Sequence, residues 1–366
     1  MKYKNIVILA NTGIGDFVRA TSALSLIRQY DKNIEITLIT CNRYVDLIDK
    51  SLNINKIITA NNKYYSNYNR FIRTFYKLFW SIKNLKYFYK KDAFLFLDIS
   101  MFFAIIVKYL YRIKNIIGPD NFSFGYNIPN SSSKFYTIAV KMPKDADRDS
   151  VIMRYQMITR FVFPTYNLCL PVLPNTKHLK DKILNLMGKT NKYKIVISPC
   201  GSVPWRRFDT QFLKDLILKL NNLYDITFFI AGNSKADKEC CLKLLNLIKQ
   251  ENVDIRNIVG ETSLLELKEL FYNTDLLITV DTGTYHIAAT TSVPIISVHS
   301  GVFPENSGAI SSKVIPLCSY RECAPCGLKL FKTKFVCKNP LCVKDITSEM
   351  VIDKVTDILS SKIKES

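Results

Sequence analysis

Asn5-Ile6-Val7-Ile8-Leu9-Ala10-Asn11-Thr12-Gly13-Ile14-Gly15-Asp16 opens the chain with a short apolar run, a turn holding two glycines and the start of a helical pattern. Phe17, Ala20, Ala23, Leu24 and Ile27 then fall on one face of a helix read over 15–30. An unbroken apolar run suits a strand covered on both faces, as in a parallel sheet. Strand, glycine turn and helix together make the first half of a βαβ unit. The order returns late in the chain, at Leu276-Leu277-Ile278-Thr279-Val280-Asp281-Thr282-Gly283-Thr284-Tyr285-His286.

Outward from these two stretches the alternation continues. In the first half, strands are read at 35–39, 56–59, 93–97 and 115–118, with helices at 43–50, 69–89 and 102–112. In the second, strands are read at 194–198, 226–230, 257–259 and 295–298, with helices at 209–221, 235–249, 264–272 and 283–291. Such alternation predicts an α/β protein with parallel sheets and crossover helices. Pro164, Pro171 and Pro174 interrupt the pattern and mark a linker. The expected organisation is two doubly wound domains, 1–170 and 171–346, followed by a helix over 347–366 that packs back on the first. Ligands of doubly wound sheets sit at the carboxyl ends of strands, so two such domains are expected to face a common cleft.

The 366 residues are 48% apolar and 22% charged, a globular balance with a formal net charge of +20. The charge is uneven. Residues 1–165 carry 25 Lys and Arg against 11 Asp and Glu, and the remaining 201 carry 26 against 20. Nucleic acid, anionic lipid headgroups and a phosphorylated glycan all match such a surface, and so does a chain merely drawn from a lysine-rich proteome. The apolar run before Asn11 is too short for a signal peptide and lacks a cleavage pattern. The longest apolar stretch, 93–107, contains Asp98 and falls short of the ~18–20 residues that span a bilayer. A cytoplasmic protein is expected.

Two motifs follow strands. In the first, Asp16 lies in the first turn of its helix, where a carboxylate accepts a proton from a hydroxyl or simply complements the helix dipole. The spacing does not suit a dinucleotide loop, because the third glycine is missing. In the second, the free N–H groups around Gly283 and the hydroxyl of Thr282 suit an anion, with His286 one turn on. A third loop, Pro199-Cys200-Gly201-Ser202-Val203-Pro204-Trp205-Arg206-Arg207-Phe208, follows the strand at 194–198 and offers small donors and a guanidinium.

On these residues the chain resembles glycosyltransferase family 9, the ADP-heptose:lipopolysaccharide heptosyltransferases. The resemblance rests on Gly15-Asp16-Phe17-Val18-Arg19-Ala20-Thr21-Ser22-Ala23-Leu24, and on Val280-Asp281-Thr282-Gly283, His286 and Ala288-Ala289 followed by Val293-Pro294. It implies the GT-B fold, two Rossmann-like domains facing a central cleft, and inverting transfer without a catalytic metal. Asp16 matches the family's base, within an acceptor-side loop of Thr12, Gly13, Gly15 and Arg19. Asp281 matches the residue that holds the donor sugar. Thr282, Gly283 and His286 match the diphosphate side, and Ser202 and Arg206 join them, Arg207 standing one position off. Gly232 and Glu261 fall in nucleoside-side loops, with Asp237 poorly placed for the ribose. His299-Ser300-Gly301 replaces the Phe-Gly that many relatives carry. The partners implied are a nucleotide-sugar donor and a lipid-linked glycan acceptor, with no nucleic acid, and a monomer is expected.

Two features remain. Cys323, Cys326, Cys337 and Cys342, with Cys318 nearby, have spacing suited to a structural zinc, to disulfides or to packed thiols, and the resemblance implies that catalysis requires no cofactor. Residues 63–91 carry Lys63, Arg70, Arg73, Lys77, Lys83, Lys86, Lys90 and Lys91 with no acid, interleaved with Tyr, Phe and Trp. That pattern suits an anionic membrane surface or an acidic glycolipid, single-stranded nucleic acid, or a core helix with a solvated lysine face, and the resemblance, with its lipid-linked acceptor, implies contact at the inner face of the inner membrane.

Overall fold

The computed structural model describes residues 3–60, 70–97, 100–123, 127–129, 132–142, 151–165, 167–321, 323, 337 and 341–365. The chain divides into two units, Met1–Pro174 and Asn175–Ser366, each built on its own six-stranded sheet.

The first unit runs β1 (Asn5–Leu9), α1 (Ile14–Tyr30), β2 (Glu35–Thr40), β3 (Lys56–Thr59), α2 (Arg70–Lys83), α3 (Leu85–Phe88), β4 (Ala93–Phe96), α4 (Met101–Tyr109) and β5 (Asn115–Pro119). The short antiparallel pair β6 (Asn121–Ser123) and β7 (Asn127–Pro129) follows, then β8 (Ile138–Val140) and α5 (Val151–Val162). Its sheet is parallel in the order β3-β2-β1-β4-β5-β8. The central strands β1 and β4 are buried nearly end to end, which is why they read as unbroken apolar runs.

The second unit runs α6 (Lys180–Met187), β9 (Tyr193–Ser198), α7 (Thr210–Leu223), β10 (Ile226–Ile230), α8 (Lys235–Leu247), β11 (Asp254–Asn257), α9 (Leu264–Tyr272), β12 (Leu276–Val280), α10 (Gly283–Ala288), β13 (Ile295–His299), α11 (Pro304–Ser307), β14 (Val314–Cys318) and α12 (Ser348–Glu365). Its sheet is parallel in the order β11-β10-β9-β12-β13-β14. Both orders reverse direction at one point, between β1 and β4 and between β9 and β12. There the helices on either side diverge and leave a crevice at the strand carboxyl ends. The loops after β1, β9 and β12 are therefore the positions where the topology opens a site.

Several expectations shift. The unit boundary falls at Pro174 rather than 170, because Val172 N–H donates to Thr21 Oγ1 at 2.9 Å and holds the segment on α1. The last helix packs on the second unit. Val351, Val355 and Leu359 are fully buried in the core of the second, and Tyr224 Oη meets Thr356 Oγ1 at 3.1 Å. Residues 42–52 form two 3-10 turns instead of a helix. The helix read over 69–89 breaks at Asn84, and the strand read at 257–259 lies earlier, at Asp254–Asn257. The described residues hold no helix long and apolar enough to cross a membrane.

One buried cation ties the first unit together. Arg28, on α1, donates through Nε to Leu52 O (2.7 Å), through Nη1 to Ile34 O (2.6 Å) and Lys32 O (3.1 Å), and through Nη2 to Asn53 O (2.6 Å). Arg28→Met strands those carbonyls, and we expect it to lower the stability of this unit by about 3 kcal/mol. The check is urea unfolding read by Trp80 fluorescence in a Trp205→Phe background, the chain having two tryptophans; an unchanged midpoint would remove this role.

Candidate functional site

In the first unit the loop after β1 is fixed from three sides. Asn11 Nδ2 donates to Ala60 O at 3.1 Å, at the end of β3. Tyr44 Oη donates to Thr12 O at 2.7 Å and accepts from Arg43 Nη2 at 2.7 Å, while the Tyr44 ring stacks on Phe17 with centroids 5.1 Å apart. Burial pushes the Tyr44 phenol up, only partly offset by Arg43, so it stays a donor. Gly13 caps α1 with an extended backbone and no side chain. A Cβ there would stand 3.3 Å from Asp16 Oδ2, so glycine leaves the carboxylate its place. Arg19 Nη2 pairs with Asp16 Oδ1 at 2.6 Å, and the Asp16 side chain is about one-third exposed where Arg19 is buried. Thr12, Gly13, Gly15, Asp16 and Arg19 thus meet in one turn.

In the second unit the loop after β9 doubles back on itself. Gly201 N–H donates to Arg206 O (2.5 Å), Arg206 N–H to Val203 O and Phe208 N–H to Pro199 O (both 3.0 Å). A Cβ on Gly201 would lie 2.7 Å from Arg206 Cβ, so the fold-back requires glycine. Ser300 Oγ, just past β13, donates to Trp205 O at 2.6 Å and pins the tip. Closed in this way, the loop delivers Arg206 to the end of the neighbouring strand β12. Arg206 Nη1 stands 3.2 Å from Asp281 Oδ2.

Asp281 is 5% exposed, and two further groups reach it. Ser307 Oγ donates to Oδ2 at 3.0 Å, and His286 Nε2 lies 3.7 Å from Oδ1. Burial opposes the charge on this carboxylate, but Arg206, His286 and His299 outweigh it and hold it well below the usual carboxylate range. His299 is fully buried, its Nε2 3.1 Å from Ser297 Oγ; burial pushes its pKa down against the pull of Asp281. Tyr285 lies between the two imidazoles, with ring centroids 4.8 Å from His286 and 5.6 Å from His299. The arrangement is a buried anion held by a partly exposed arginine at a strand-order switch point, a place where a diphosphate and a polyhydroxylated ligand both find partners.

The remaining residues divide. Gly232 follows β10 with φ +157°, and a Cβ on it would stand 2.3 Å from Asp237 Cγ. Asp237 turns inward: its Oδ2 accepts from Asn233 N–H (3.1 Å), Ser234 N–H (2.8 Å) and Ser234 Oγ (2.6 Å), capping α8. That cap accounts for the acid and leaves it poorly placed for a ribose. Gly260 N–H donates to Gly232 O at 2.8 Å and brings the two loops together at the sheet edge, with Glu261 exposed beside them. Ser202 is exposed on the fold-back. Thr282 caps α10 through Oγ1, and Gly283 begins that helix. Arg207 makes an isolated bridge with Cys200, so of the two arginines it is Arg206 that faces Asp281.

The model of glycosyltransferase family 9 (heptosyltransferase) matches residues 100–334, more than half of the chain. The chain belongs to glycosyltransferase family 9. Lipooligosaccharide heptosyltransferase 2 of Campylobacter jejuni serotype O:2 is 26% identical over 157 residues, 43% of this chain and 47% of that protein. The chain thus matches about half the length of that relative. Lipopolysaccharide heptosyltransferase 1 of Campylobacter coli is 21% identical over 98% of this chain and 99% of its own. The structure of Escherichia coli ADP-heptose lipopolysaccharide heptosyltransferase II superposes with a TM-score of 0.73 at 15% identity, covering 98% of this chain and 99% of the other. The fold is the GT-B class of two doubly wound units. The Asp281 cluster lies inside the family match and Asp16 outside it.

For this family 9 chain the late cysteines remain unassigned. Cys318, Cys323, Cys337 and Cys342 are free thiols, and Cys326 lies outside the described residues. Burial first, then Cys323 and Cys337 nearby, push the Cys342 thiol up, yet the described residues contain no group of three that could hold a metal. A depression of about 520 Å³ lies at the opposite end of the second sheet, lined by Lys194, Asp275 and Pro294. Asp275 there accepts from Lys194 N–H at 2.9 Å and closes the strand starts, so the carboxyl edge remains the candidate site.

Sequence reasoning missed Ser307 and His299 as members of the cluster, and Tyr44 as support for the Asp16 loop. Ser307 carries no local signal. His299 stood in the departure from the usual Phe-Gly, and a histidine ending an apolar strand was the available sign.

The charge on Asp281 gives a pH test. Its folded pKa is depressed, so its stabilising contribution is complete above the unfolded value near about 4 and fades as pH falls towards the folded one. In Arg206→Met the carboxylate keeps its burial and loses its cation. We expect a loss of about 3 kcal/mol at pH 7, shrinking as pH falls below about 4. Urea titrations across that range check it; a pH-independent difference would show that the ion pair is not its source.

Proposed function

We propose that the chain is a glycosyltransferase that moves a sugar from a nucleoside diphosphate donor, with heptose from ADP-heptose favoured, onto a lipopolysaccharide-core or related cell-surface glycan. The observation that carries the reading is the Arg206–Asp281 pair, with His286 and Ser307, at the switch point of a family 9 chain. The second unit holds the donor: Asp281 takes sugar hydroxyls, Arg206 and the N–H groups at Gly283 take the diphosphate, and the loops at Gly232 and Glu261 border the nucleoside. The names of the Campylobacter and E. coli relatives support heptose and lipopolysaccharide as the substrate class.

In this reading Asp16 takes the proton from the acceptor hydroxyl as its oxygen forms the bond to the anomeric carbon. The bond from that carbon to the diphosphate oxygen breaks, and its electron pair leaves with the diphosphate. Attack opposite the leaving group inverts the anomeric centre. Arg206 offsets the charge gathering on the diphosphate, so no metal ion is called for in this role. Arg19 fixes the direction of the Asp16 carboxylate. The acceptor is lipid-linked, and transfer takes place at the cytoplasmic face.

Two measurements test the reading. A thermal-shift panel of nucleotide sugars should give its largest shift with ADP-heptose; a preference for a uridine or guanosine sugar would move the donor elsewhere, and no shift with any would sink the donor site. Asp16→Asn should lower kcat by about 10²–10⁴-fold while the donor Kd stays within about twofold. Turnover unchanged in that variant would remove Asp16 as the base.

A further inference from the structure

Helix α2 is turned inside out. Phe75, Leu78, Phe79 and Ile82 follow one another at the spacing that builds one helical face, and that face normally meets a core. Here it points to solvent, with Phe75 64%, Phe79 60% and Ile82 53% exposed. The opposite face holds the helix to the unit. Trp80 Nε1 donates to Thr59 O at 3.0 Å, and its ring meets Phe88 at 6.0 Å and Phe103 at 5.7 Å. Through Phe103 the helix lies beside α4, whose outer stripe is also apolar: Met101, Ile105 and Tyr109 are exposed. Lysines surround this ground. Lys77 stands over the Phe102 ring (5.8 Å), Lys86 over Tyr87 (5.1 Å), Lys90 over Tyr89 (5.3 Å) and Lys108 over Tyr109 (5.7 Å), and Lys83 is exposed. No acid occurs from residue 63 to residue 91.

We propose that the outer faces of α2 and α4 dock on an anionic phospholipid surface, Phe75, Phe79 and Ile82 entering the acyl boundary while the lysines meet the headgroups. Exposed apolar area of this kind on a soluble surface marks a contact. Charge decides which contact. Two copies meeting by this face would bring two sets of lysines together without an acid between them, which like-charge repulsion disfavours. Single-stranded nucleic acid would use only the aromatic faces of Phe75, Phe79 and Tyr109, and leaves Leu78, Ile82, Met101 and Ile105, more than half of the patch, in water. A lipid interface accepts aliphatic and aromatic side chains alike, with basic residues at its rim. The inference stands apart from the reading of donor and acceptor, because vesicle binding is measured without either.

The test is sedimentation of the full chain with phosphatidylcholine vesicles, with and without phosphatidylglycerol. Binding should require phosphatidylglycerol and weaken as salt rises. Phe75→Ser with Phe79→Ser, and separately Lys83→Glu with Lys86→Glu, should each weaken it by about tenfold or more, while the melting temperature and donor-induced thermal shift stay as in the parent. Phe79→Trp supplies a measurement free of any folding concern: its added emission should be quenched by brominated lipids, and the inward Trp80 should be much less so. Binding untouched by the serine pair, no quenching at position 79, a dimer that the serine pair dissolves, or tighter binding to an oligonucleotide than to the vesicles would each overturn the proposal.

Discussion

A carboxylate that is 5% exposed has lost nearly all its water, and Asp281 keeps its charge only because the chain around it supplies replacements. Arg206 is the largest of these, and the loop after β9 exists in its folded-back form to deliver it. Gly201 permits the fold-back, Ser300 fixes the tip through Trp205 O, and Ser307 comes from α11 to the same carboxylate oxygen as Arg206. Three separate connections, after β9, β12 and β13, are thereby drawn to one point. Without the buried charge, none of them has a reason to converge there. The strand order sets where the crevice opens, and the ion pair sets what lines it.

The central strands were legible because parallel strands covered on both faces carry almost nothing but apolar residues. The five residues of β1 and of β12 each follow that rule, and a glycine turn follows each strand. Edge strands escape it. In β11, Asp254 and Arg256 pair with each other at 2.9 Å across a half-buried face, so charged residues stand where the reading looks for apolar ones, and the strand was placed too late. In β14, Pro316 tells against a strand, yet the edge tolerates it. Helix α5 buries Arg154, Gln156 and Thr159, which interrupt the apolar stripe by which a helix is recognised.

The site divides along the same line. Asp281, Gly283 and His286 lie within one strand–turn–helix and could be read together. Arg206 and Arg207 are adjacent in sequence, and only the resemblance favoured Arg206; the fold-back is what turns it to β12. Ser307 is 26 positions from Asp281, and nothing local announces it. Asp237 shows the converse. An acid shortly after a glycine invites a ligand role, but backbone N–H groups at the start of α8 were nearer and took it. Local pattern gives the candidates, and competition among neighbouring partners decides which of them remain available.

In the proposed reading of the second unit as the donor site, the pairing of Arg206 with Asp281 governs how a diphosphate would enter. The pair is neutral as a unit, so an incoming anion meets no net attraction from it at a distance; it gains only by drawing Arg206 partly away from the carboxylate. That exchange would strand a buried charge were Arg206 its sole partner. Ser307 and His286 touch the carboxylate independently of the arginine, and sugar hydroxyls arriving with the diphosphate are donors of the same kind. A ligand carrying both groups therefore replaces at Asp281 what it removes at Arg206, whereas inorganic diphosphate or a bare nucleotide removes without replacing. In that reading, selectivity for the intact nucleotide sugar over its own leaving group would follow from one ion pair that either half of the ligand disturbs and only the whole ligand repairs.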